Sequence, residues 1–352
     1  MNISIKKRDV LWSYGSMALT MAVNLLLLPL YIYFFTPDMV GLWYVFISIG
    51  SIALLFDFGS LVLMYTLGMY YIGSLVSPSS RWEAYIAWAA YGFGIFLNLY
   101  YSYYISFLRG VGAITLANKS IVYARLLQMV FTIILLLLGF GIIGASIGYL
   151  IYGLGFKLFG HRYFYKYEHI GEKLRFATNL VTTSTADIFR TIWYNAWRDG
   201  IVSISNYILT QATIIISSFY LSLAQTGMYS IAIQLTTAVA VVASTLYNTY
   251  QPAFQNAYIT KDQPRLRELF SFSVTLFIVI YWVGIFGLWL VGLPLLNMIK
   301  PNFVISDTVL WGASIMQFVI YYRNCYTSYF SCTNRIIYVK SFILSSGNNY
   351  ID

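Results

Sequence analysis

Polar side chains that lie within or beside long apolar runs are the residues of this chain whose chemistry is most informative. An ionisable group in such a run is costly in lipid, so it is a functional candidate by default, and an amide there must find a partner. Nine of these residues are candidates for lining a substrate path: Asn24, Asp57, Arg109, Arg125, Arg198, Asn206, Gln211, Gln234 and Asn248.

Asp57 is the only carboxylate between Asp38 and Glu83. At the inner end of its apolar run it can pair with a basic residue or bind a coupling proton or cation. It can equally cap the helix that begins near Gly59. The residue types alone leave both interpretations open.

Three arginines lie where they could meet phosphate groups or anchor a span at the membrane surface. Arg125 begins a predicted span at its inner end, so it either contacts phosphates or extends its charged group to the interface. Arg198 opens another predicted span beside Asp199, where it forms an ion pair or acts as an interfacial anchor. Arg109 lies in the cytoplasmic segment that follows a further span.

Five amide side chains complete the set of candidates. Asn24 lies in the middle of the first apolar run, Asn206 and Gln211 occupy the corresponding part of a later run, and Gln234 and Asn248 lie in the run after that. Because lipid cannot hydrate an amide, we expect these side chains to point away from it. They either join neighbouring helices by hydrogen bonds or line a polar vestibule for a hydroxylated or amide-bearing ligand.

Residues that bind metals or cofactors show no matching pattern. The two histidines, His161 and His169, are eight residues apart and have no cysteine or ligand cluster beside them. Structural metal sites need such a cluster. Cys325 and Cys332 cannot form a disulfide framework, and packing is the expected role for both. We therefore expect no metal and no cofactor.

The composition indicates which elements position the candidate residues. Of 352 residues, 59% are hydrophobic and 9% are charged, against about 25% charged in soluble chains. This excludes a water-soluble enzyme and a disordered chain. One membrane crossing takes about 20 apolar helical residues, and a helix satisfies its own backbone groups in lipid. The expected fold class is therefore an all-α polytopic integral membrane protein.

Ten apolar runs are assigned as spans, at 11–35, 39–56, 60–77, 84–108, 121–140, 142–160, 201–222, 229–250, 270–293 and 304–322. The stretch 39–80 can alternatively hold one span and a long loop. Ten spans place 19 of the 21 basic residues on the cytoplasmic side, whereas nine spans place only 5 there. Since basic residues concentrate in cytoplasmic loops, ten spans are favoured, with a cytoplasmic N-terminus and a first span too long for a cleavable signal.

An internal repeat supports the same even number of spans. A shift of 186 residues aligns Gly41-Leu42-Trp43 with Gly227-Met228-Tyr229. Each motif begins a new span after a short turn, and a direct repeat of this kind is typical of transporters. Within the first half, the spacing of Gly144 and Gly148 also predicts close packing of the fifth and sixth spans.

The repeat and the charge pattern together suggest the domain organisation. We predict an N-terminal helical bundle at 1–160 and a cytoplasmic linker with an interfacial amphipathic helix at 161–198. An incomplete C-terminal bundle at 199–340 and a tail at 341–352 follow. The net charge of +9 is then explained by basic residues that flank spans, so no nucleic-acid partner is expected.

Several short motifs occur in an order that resembles a known family. They are Gly41-Leu42-Trp43 leading to Asp57-Phe58-Gly59, Leu108-Arg109-Gly110-Val111-Gly112, and Arg198-Asp199-Gly200 followed by Gly227-Met228-Tyr229 and Gln234. In order and spacing, over nearly the whole chain, they are similar to the O-antigen flippases of the multidrug/oligosaccharidyl-lipid/polysaccharide exporter superfamily.

The resemblance implies a transporter and not an enzyme. Such proteins move undecaprenyl-diphosphate-linked O-antigen or polysaccharide repeat units from the cytoplasmic to the periplasmic leaflet of the bacterial inner membrane by alternating access. By match of position, the resemblance points to Asp57, Arg109 and Arg198. It implies a lipid-linked oligosaccharide as substrate, with membrane lipids and other O-antigen assembly proteins as partners.

The chain departs from the family pattern in two ways, and two other function classes were compared with it. The family has twelve spans, and it has a longer segment after the motif that corresponds to Gly41-Leu42-Trp43 and Asp57-Phe58-Gly59. Ten spans therefore imply a C-terminally truncated member. A cation-coupled exporter of small organic molecules would place acidic residues in its cavity, where this chain offers only Asp57. A membrane enzyme such as an O-antigen polymerase would need a large periplasmic loop or a buried histidine–carboxylate set, and the predicted outer loops are short.

Overall fold

The computed structural model describes positions 193 and 200 and the ranges 7–56, 58–167, 203–205, 207–301 and 304–332. These residues form helices joined by short turns, and no strand occurs among them. The predicted all-α class is therefore confirmed for the described part of the chain.

The described residues up to 167 form seven helices and a short 3-10 turn at Pro78–Ser80. A π-helical turn, Phe156–Gly160, joins the last two of these helices without a break. The seven helices are α1 (Lys7–Phe34), α2 (Pro37–Phe56), α3 (Phe58–Leu75), α4 (Arg81–Gly110), α5 (Ile114–Leu137), α6 (Gly141–Gly155) and α7 (His161–Lys166).

Residues 203–205 and 207–210 are also helical, and six further helices follow them in the described ranges up to residue 332. A second π-helical turn, Leu288–Gly292, lies within the longest of the apolar helical stretches. The six helices are α8 (Ala212–Tyr220), α9 (Leu223–Asn248), α10 (Gln251–Ile259), α11 (Gln263–Gly287), α12 (Leu293–Ile299) and α13 (Asp307–Cys332).

Five helical stretches in the described residues are long and apolar enough to cross a membrane, judged by length and composition. They are Gly15–Phe34, Ile114–Leu137, Gly141–Lys166, Leu223–Thr245 and Gln263–Ile299. The shorter apolar helix at Pro37–Ile52 falls below that length. The prediction of a membrane protein with several transmembrane helices is confirmed at this level.

The sequence left open whether the stretch 39–80 holds one span or two. In the structure, this stretch contains the two helices α2 and α3, which pack against each other.

The bounds of other helices differ from the bounds of the predicted spans. The fifth predicted span, 121–140, is the helix α5 at Ile114–Leu137. The sixth, 142–160, continues through the π-helical turn as far as Lys166. Hydropathy misplaced these ends because polar residues at helix ends lower the local hydropathy without ending the helix.

Helices α5 and α6 are held close by glycine. Gly139 and Gly141, with φ of 83° and 51°, adopt the left-handed backbone that the short turn between these helices requires. Further along α6, a Cβ atom on Gly148 would overlap the hydroxyl of Thr132 on α5, and one on Gly144 would lie 3.0 Å from the Cβ of Leu135. The predicted close packing through Gly144 and Gly148 is therefore confirmed.

The chain divides into two compact units between Gly227 and Met228. In the first unit, α4, α5 and α6 pack on one another and α1 packs on α5, with Leu108, Ala124 and Phe156 in the core between them. Most of the predicted linker, 161–198, lies outside the described residues, so the predicted domain bounds remain a prediction.

The second unit has its own aromatic core. Tyr247, Phe254 and Phe277 are buried in it together with Tyr281. The hydroxyl of Tyr247 donates to the backbone oxygen of Cys325 at 2.6 Å, and that of Tyr281 donates to the backbone oxygen of Ser314 at 2.6 Å. These bonds tie α9 and α11 to α13 at positions where water is excluded.

Candidate functional site

Arg125 lies in the middle of α5. Eleven residues precede it in the helix and twelve follow it, so its Cα atom is about 17 Å along the axis from the first residue at 1.5 Å per residue. Arg125 therefore lies about three turns inside the helix, and its predicted place at the inner end of a membrane span remains a prediction. The helix starts seven residues earlier than predicted, with buried polar residues, including Thr115 and Asn118, in its first turns.

The guanidinium group of Arg125 is held by an aromatic ring and an amide. Its Cζ atom lies 4.1 Å from the centre of the Tyr152 ring on α6, a distance at which the ring face attracts a cation. Its Nη1 atom donates to the side-chain oxygen of Gln128 at 2.7 Å, and Gln128 is only 4% exposed. The Nε atom is buried and has no hydrogen-bond partner among the described residues.

Further polar groups surround the same guanidinium. Arg125 and Asn98 of α4 both lie close to the Tyr152 hydroxyl. The hydroxyls of Tyr31, Tyr91 and Tyr149, on α1, α4 and α6, are close enough to interact electrostatically with the Arg125 charge. We call Arg125, Gln128, Tyr152 and Asn98 the Arg125 cluster. The helices α4, α5 and α6 position it together.

No carboxylate contacts Arg125 among the described residues. Arg125 is half-buried, and partial burial of a cation is costly, a cost that the contacts with Tyr152 and Gln128 offset in part. Because the cluster offers one unused N–H and several hydroxyl or amide donors, it is suited chemically to an anion.

Arg109 lies near the same tyrosine. It is exposed in the last turn of α4, and its charge acts on the Tyr152 hydroxyl. Arg109 and Arg125, which are 16 residues apart in the sequence, therefore both influence the Tyr152 hydroxyl electrostatically. Positive charge is present at the end of α4 in Arg109 and in the middle of α5 in Arg125.

Two lysines near these helices also lie over aromatic rings. The Nζ atom of Lys119 on α5 is 5.0 Å from the ring centre of Trp12, and that of Lys157 is 5.8 Å from the ring centre of Tyr101. Lys157 belongs to the π-helical turn that follows α6, and such turns are frequent at functional sites. Aromatic faces are therefore a recurrent partner of cations in the first unit.

The amide candidates are distributed over several helices. Gln211 accepts a hydrogen bond from Ser48 on α2 at 3.2 Å, so it joins two parts of the first unit. Asn248 accepts from Gln251 at 3.0 Å across the turn between α9 and α10. Asn24 is exposed on α1, and Gln234 is half-buried on α9. Their proposed place on a substrate path remains a prediction.

Three candidates, Asp57, Arg198 and Asn206, lie outside the described residues, as does His169. Among the described residues there is no group of three or more histidine, cysteine, aspartate or glutamate side chains that could hold a metal ion.

Sequence reasoning missed Gln128, Tyr152 and Asn98. Gln128 follows Arg125 by three positions, a spacing that places both on one helix face, so it was detectable once α5 was assigned as a helix. Tyr152 and Asn98 come from other helices, and only the tertiary packing brings them to Arg125.

Comparisons with protein-family models, with curated proteins and with solved structures give no match to this chain. The function must therefore be argued from its own residues.

Proposed function

We propose that this protein translocates undecaprenyl-diphosphate-linked O-antigen or polysaccharide repeat units from the cytoplasmic to the periplasmic leaflet of the bacterial inner membrane by alternating access. The observation that carries the proposal is the Arg125 cluster, a cation in the middle of an apolar helix that is surrounded by donors. A diphosphate group supplies the negative charge and the acceptor oxygens that this cluster lacks among its described neighbours.

The distribution of charge supports entry of the anion from the inner side. Arg109 lies at the end of α4 and Arg125 lies about 17 Å along α5, and both act on Tyr152. An anion that is attracted first to the exposed Arg109 finds a second cation deeper in the same unit. The order and spacing of the motifs, which resemble those of O-antigen flippases, favour a lipid-linked glycan as the bearer of that anion.

The proposal includes ten spans in two pseudo-repeated bundles, with the N-terminus in the cytoplasm. The separate helices α2 and α3 agree with two spans between residues 39 and 80. This number places 19 of the 21 basic residues inside, as the charge bias of membrane proteins requires. Other O-antigen assembly proteins would then meet the protein at the inner membrane.

Export of small organic cations, coupled to an ion gradient, is the second candidate function. The guanidinium of Arg125 would repel such a substrate at short range in a medium of low dielectric constant. Among the described residues, no carboxylate contacts Arg125 to reverse that effect. The observations therefore favour an anionic substrate.

A gene-replacement experiment tests the proposal. Deletion of the gene is expected to remove long surface polysaccharide and to cause lipid-linked repeat units to accumulate in the cytoplasmic leaflet. The wild-type gene should restore the polysaccharide. Arg125→Gln, which removes the charge but keeps a polar side chain, should restore little of it. Arg125→Lys, which keeps the charge but loses the planar donor group, should restore an intermediate amount.

Arg267→Gln is the matched control, because Arg267 is exposed on α11 and plays no part in the cluster. It should restore wild-type polysaccharide at equal protein abundance in the membrane. Unchanged polysaccharide after deletion would contradict the proposed function. Full restoration by Arg125→Gln would contradict the role of the cluster.

A further inference from the structure

A stripe of aromatic rings runs along one face of α4. Its members are three and four positions apart, a spacing that brings side chains to the same side of a helix; they are Phe93, Phe96, Tyr100, Tyr103 and Phe107. The first three stack in succession, with ring centres 5.9 Å apart at each step. Phe93, Tyr100 and Tyr103 are each about half exposed, so the other described parts of the chain leave this face of α4 largely uncovered.

Two exposed basic side chains lie against tyrosine rings towards the C-terminal end of α4. The Nζ atom of Lys157, in the π-helical turn, is 5.8 Å from the ring centre of Tyr101. The ring of His161, at the beginning of α7, is nearly perpendicular to that of Tyr104, with the ring centres 5.8 Å apart. Tyr101 and Tyr104 are parallel to each other, with centres 6.2 Å apart. The two basic residues therefore lie side by side over one aromatic surface.

Ring contacts join this surface to the exposed stripe. Tyr100 contacts Tyr101 with ring centres 5.0 Å apart, and Tyr103 contacts Tyr104 with centres 4.0 Å apart. We call the combined set the basic–aromatic patch; it consists of Tyr100, Tyr101, Tyr103, Tyr104, Lys157 and His161.

Carboxylates do not balance the charge of the patch within the described residues around it. From 81 to 167, a range that the structure describes throughout, Glu83 is the only acidic residue. It lies at the opposite end of α4, where its carboxylate is 3.5 Å from the Cβ position of Gly141. The next acidic residue, Glu168, lies outside the described residues. Arg109 adds a further positive charge at the same end of α4 as the patch.

The patch lies at the depth expected for a lipid headgroup. The apolar helical stretch Gly141–Lys166 begins directly after a tight turn. At 1.5 Å per residue, Lys157 is about 24 Å and His161 about 30 Å along this stretch, whereas the hydrocarbon core of a bilayer is about 30 Å thick. Because α4 begins at the same end, Phe93, which is about 18 Å along α4, lies at the depth of the hydrocarbon.

We propose that the basic–aromatic patch binds an anionic phospholipid, with the phosphate held by Lys157 beside His161 and one acyl chain along the exposed rings of α4. Basic residues at the ends of membrane-spanning helices attract anionic headgroups. Tyrosine suits the boundary, because its ring is apolar and its hydroxyl is polar. The proposal does not rest on the proposed transport function, since phospholipid surrounds any protein in a membrane.

The aromatic stripe favours a lipid over other anions. A soluble anion or an acidic peptide would meet the charge of Lys157 but would not reach rings at the depth of Phe93. A zwitterionic phospholipid would reach those rings but carries a positive charge next to its phosphate. An anionic phospholipid matches both the charge and the apolar stripe.

Native mass spectrometry of the full-length protein in detergent tests the binding without any transport. Dioleoyl phosphatidylglycerol and dioleoyl phosphatidylcholine are added in separate titrations, and the fraction of protein that carries one lipid is measured. The wild-type protein should bind phosphatidylglycerol more tightly. Lys157→Gln should weaken phosphatidylglycerol binding about fivefold, since one basic residue at a membrane surface contributes about 1 kcal/mol. It should leave phosphatidylcholine binding unchanged.

Arg267→Gln is the matched control, because it removes the same charge at an exposed position of α11, outside the patch. It should bind phosphatidylglycerol as the wild-type protein does. Equal affinity of the wild-type protein for the two lipids would overturn the proposal, as would unchanged phosphatidylglycerol binding by Lys157→Gln. An equal loss with Arg267→Gln would also overturn it, because net charge and not the patch would then explain the effect. Displacement of the lipid by an equal concentration of inorganic phosphate would overturn the role of the acyl chain.

Photo-crosslinking tests where the lipid binds. Phosphatidylglycerol with a diazirine group in one acyl chain is incorporated into nanodiscs with the protein, and the labelled peptides are mapped after irradiation. Label should concentrate on α4 between residues 93 and 103, and Lys157→Gln should lower it there. Label spread evenly over exposed apolar helix faces would overturn the assignment to this patch. Both tests measure lipid binding alone, so their outcome is independent of the gene-replacement experiment.

Discussion

Arg125 shows how a cation is accommodated inside an apolar helix bundle. The ring of Tyr152 faces the guanidinium at 4.1 Å and Gln128 accepts one of its hydrogen bonds, while its Nε atom keeps an unused donor. A residue that is only partly satisfied in this way is poorly suited to a purely structural role, because each buried donor without a partner costs free energy. It is well suited to a ligand that brings acceptors with it.

The two contributions of Tyr152 can be separated by substitution. Tyr152→Phe removes the hydroxyl and keeps the ring face, whereas Tyr152→Leu removes both. We expect Tyr152→Leu to lower the free energy of unfolding by about 0.5–2 kcal/mol more than Tyr152→Phe does, because the cation then loses the aromatic face. Denaturant titration of the purified protein in detergent measures the difference. Equal losses for the two variants would show that the ring does not stabilise Arg125.

At the scale of elements, the contact between α5 and α6 brings Tyr152 to Arg125. That contact depends on Gly148, which leaves room for the hydroxyl of Thr132. The hydroxyl oxygen of Thr132 is buried and has no hydrogen-bond partner in the part of the chain that the structure describes. The two helices therefore meet at a point with no spare volume and with one polar group that contributes little to stability.

Gly148→Ala should lower the free energy of unfolding by about 1–3 kcal/mol, because the added methyl group overlaps the Thr132 hydroxyl. Combining it with Thr132→Ala should recover much of the loss, since that change removes the overlapping atom. Gly287→Ala, at a helical glycine with open space around it, is the control and should be neutral or stabilising by up to about 1 kcal/mol. Additive losses in the double variant would contradict this account of the contact.

The sequence predicted the helical class and the close packing of Gly144 and Gly148 against the neighbouring span, and it proposed Arg109 and Arg125 as substrate-path candidates, which remains a prediction. It placed the beginning of this helical stretch at 121 and not at Ile114, because hydropathy does not distinguish a buried polar helix turn, such as the one with Asn118 and Ser120, from a loop. It also missed Tyr152 and Asn98. Contacts between residues on different helices depend on how the helices pack, and no local pattern in the sequence records that.

At the scale of the whole molecule, the proposed ten-span topology joins the charge distribution to the proposed direction of transport. It places Arg81 outside and His161 inside the cell. Both residues are exposed. In a background without other thiols, Arg81→Cys should therefore react with an impermeant reagent added to intact cells, and His161→Cys should react only after the membrane is opened. Labelling of His161→Cys but not Arg81→Cys in intact cells would contradict the topology.

The central claim is that the Arg125 cluster serves the passage of a lipid-linked anion. The most direct measurement uses the purified protein in liposomes that carry undecaprenyl-diphosphate-linked oligosaccharide with its sugar labelled, and follows how much of that sugar an impermeant glycosidase can reach with time. With the wild-type protein, the protected fraction should become accessible, and with Arg125→Gln this exchange should slow to nearly the rate of protein-free liposomes. Equal exchange by the wild-type protein and Arg125→Gln, or no exchange by either, would contradict the account.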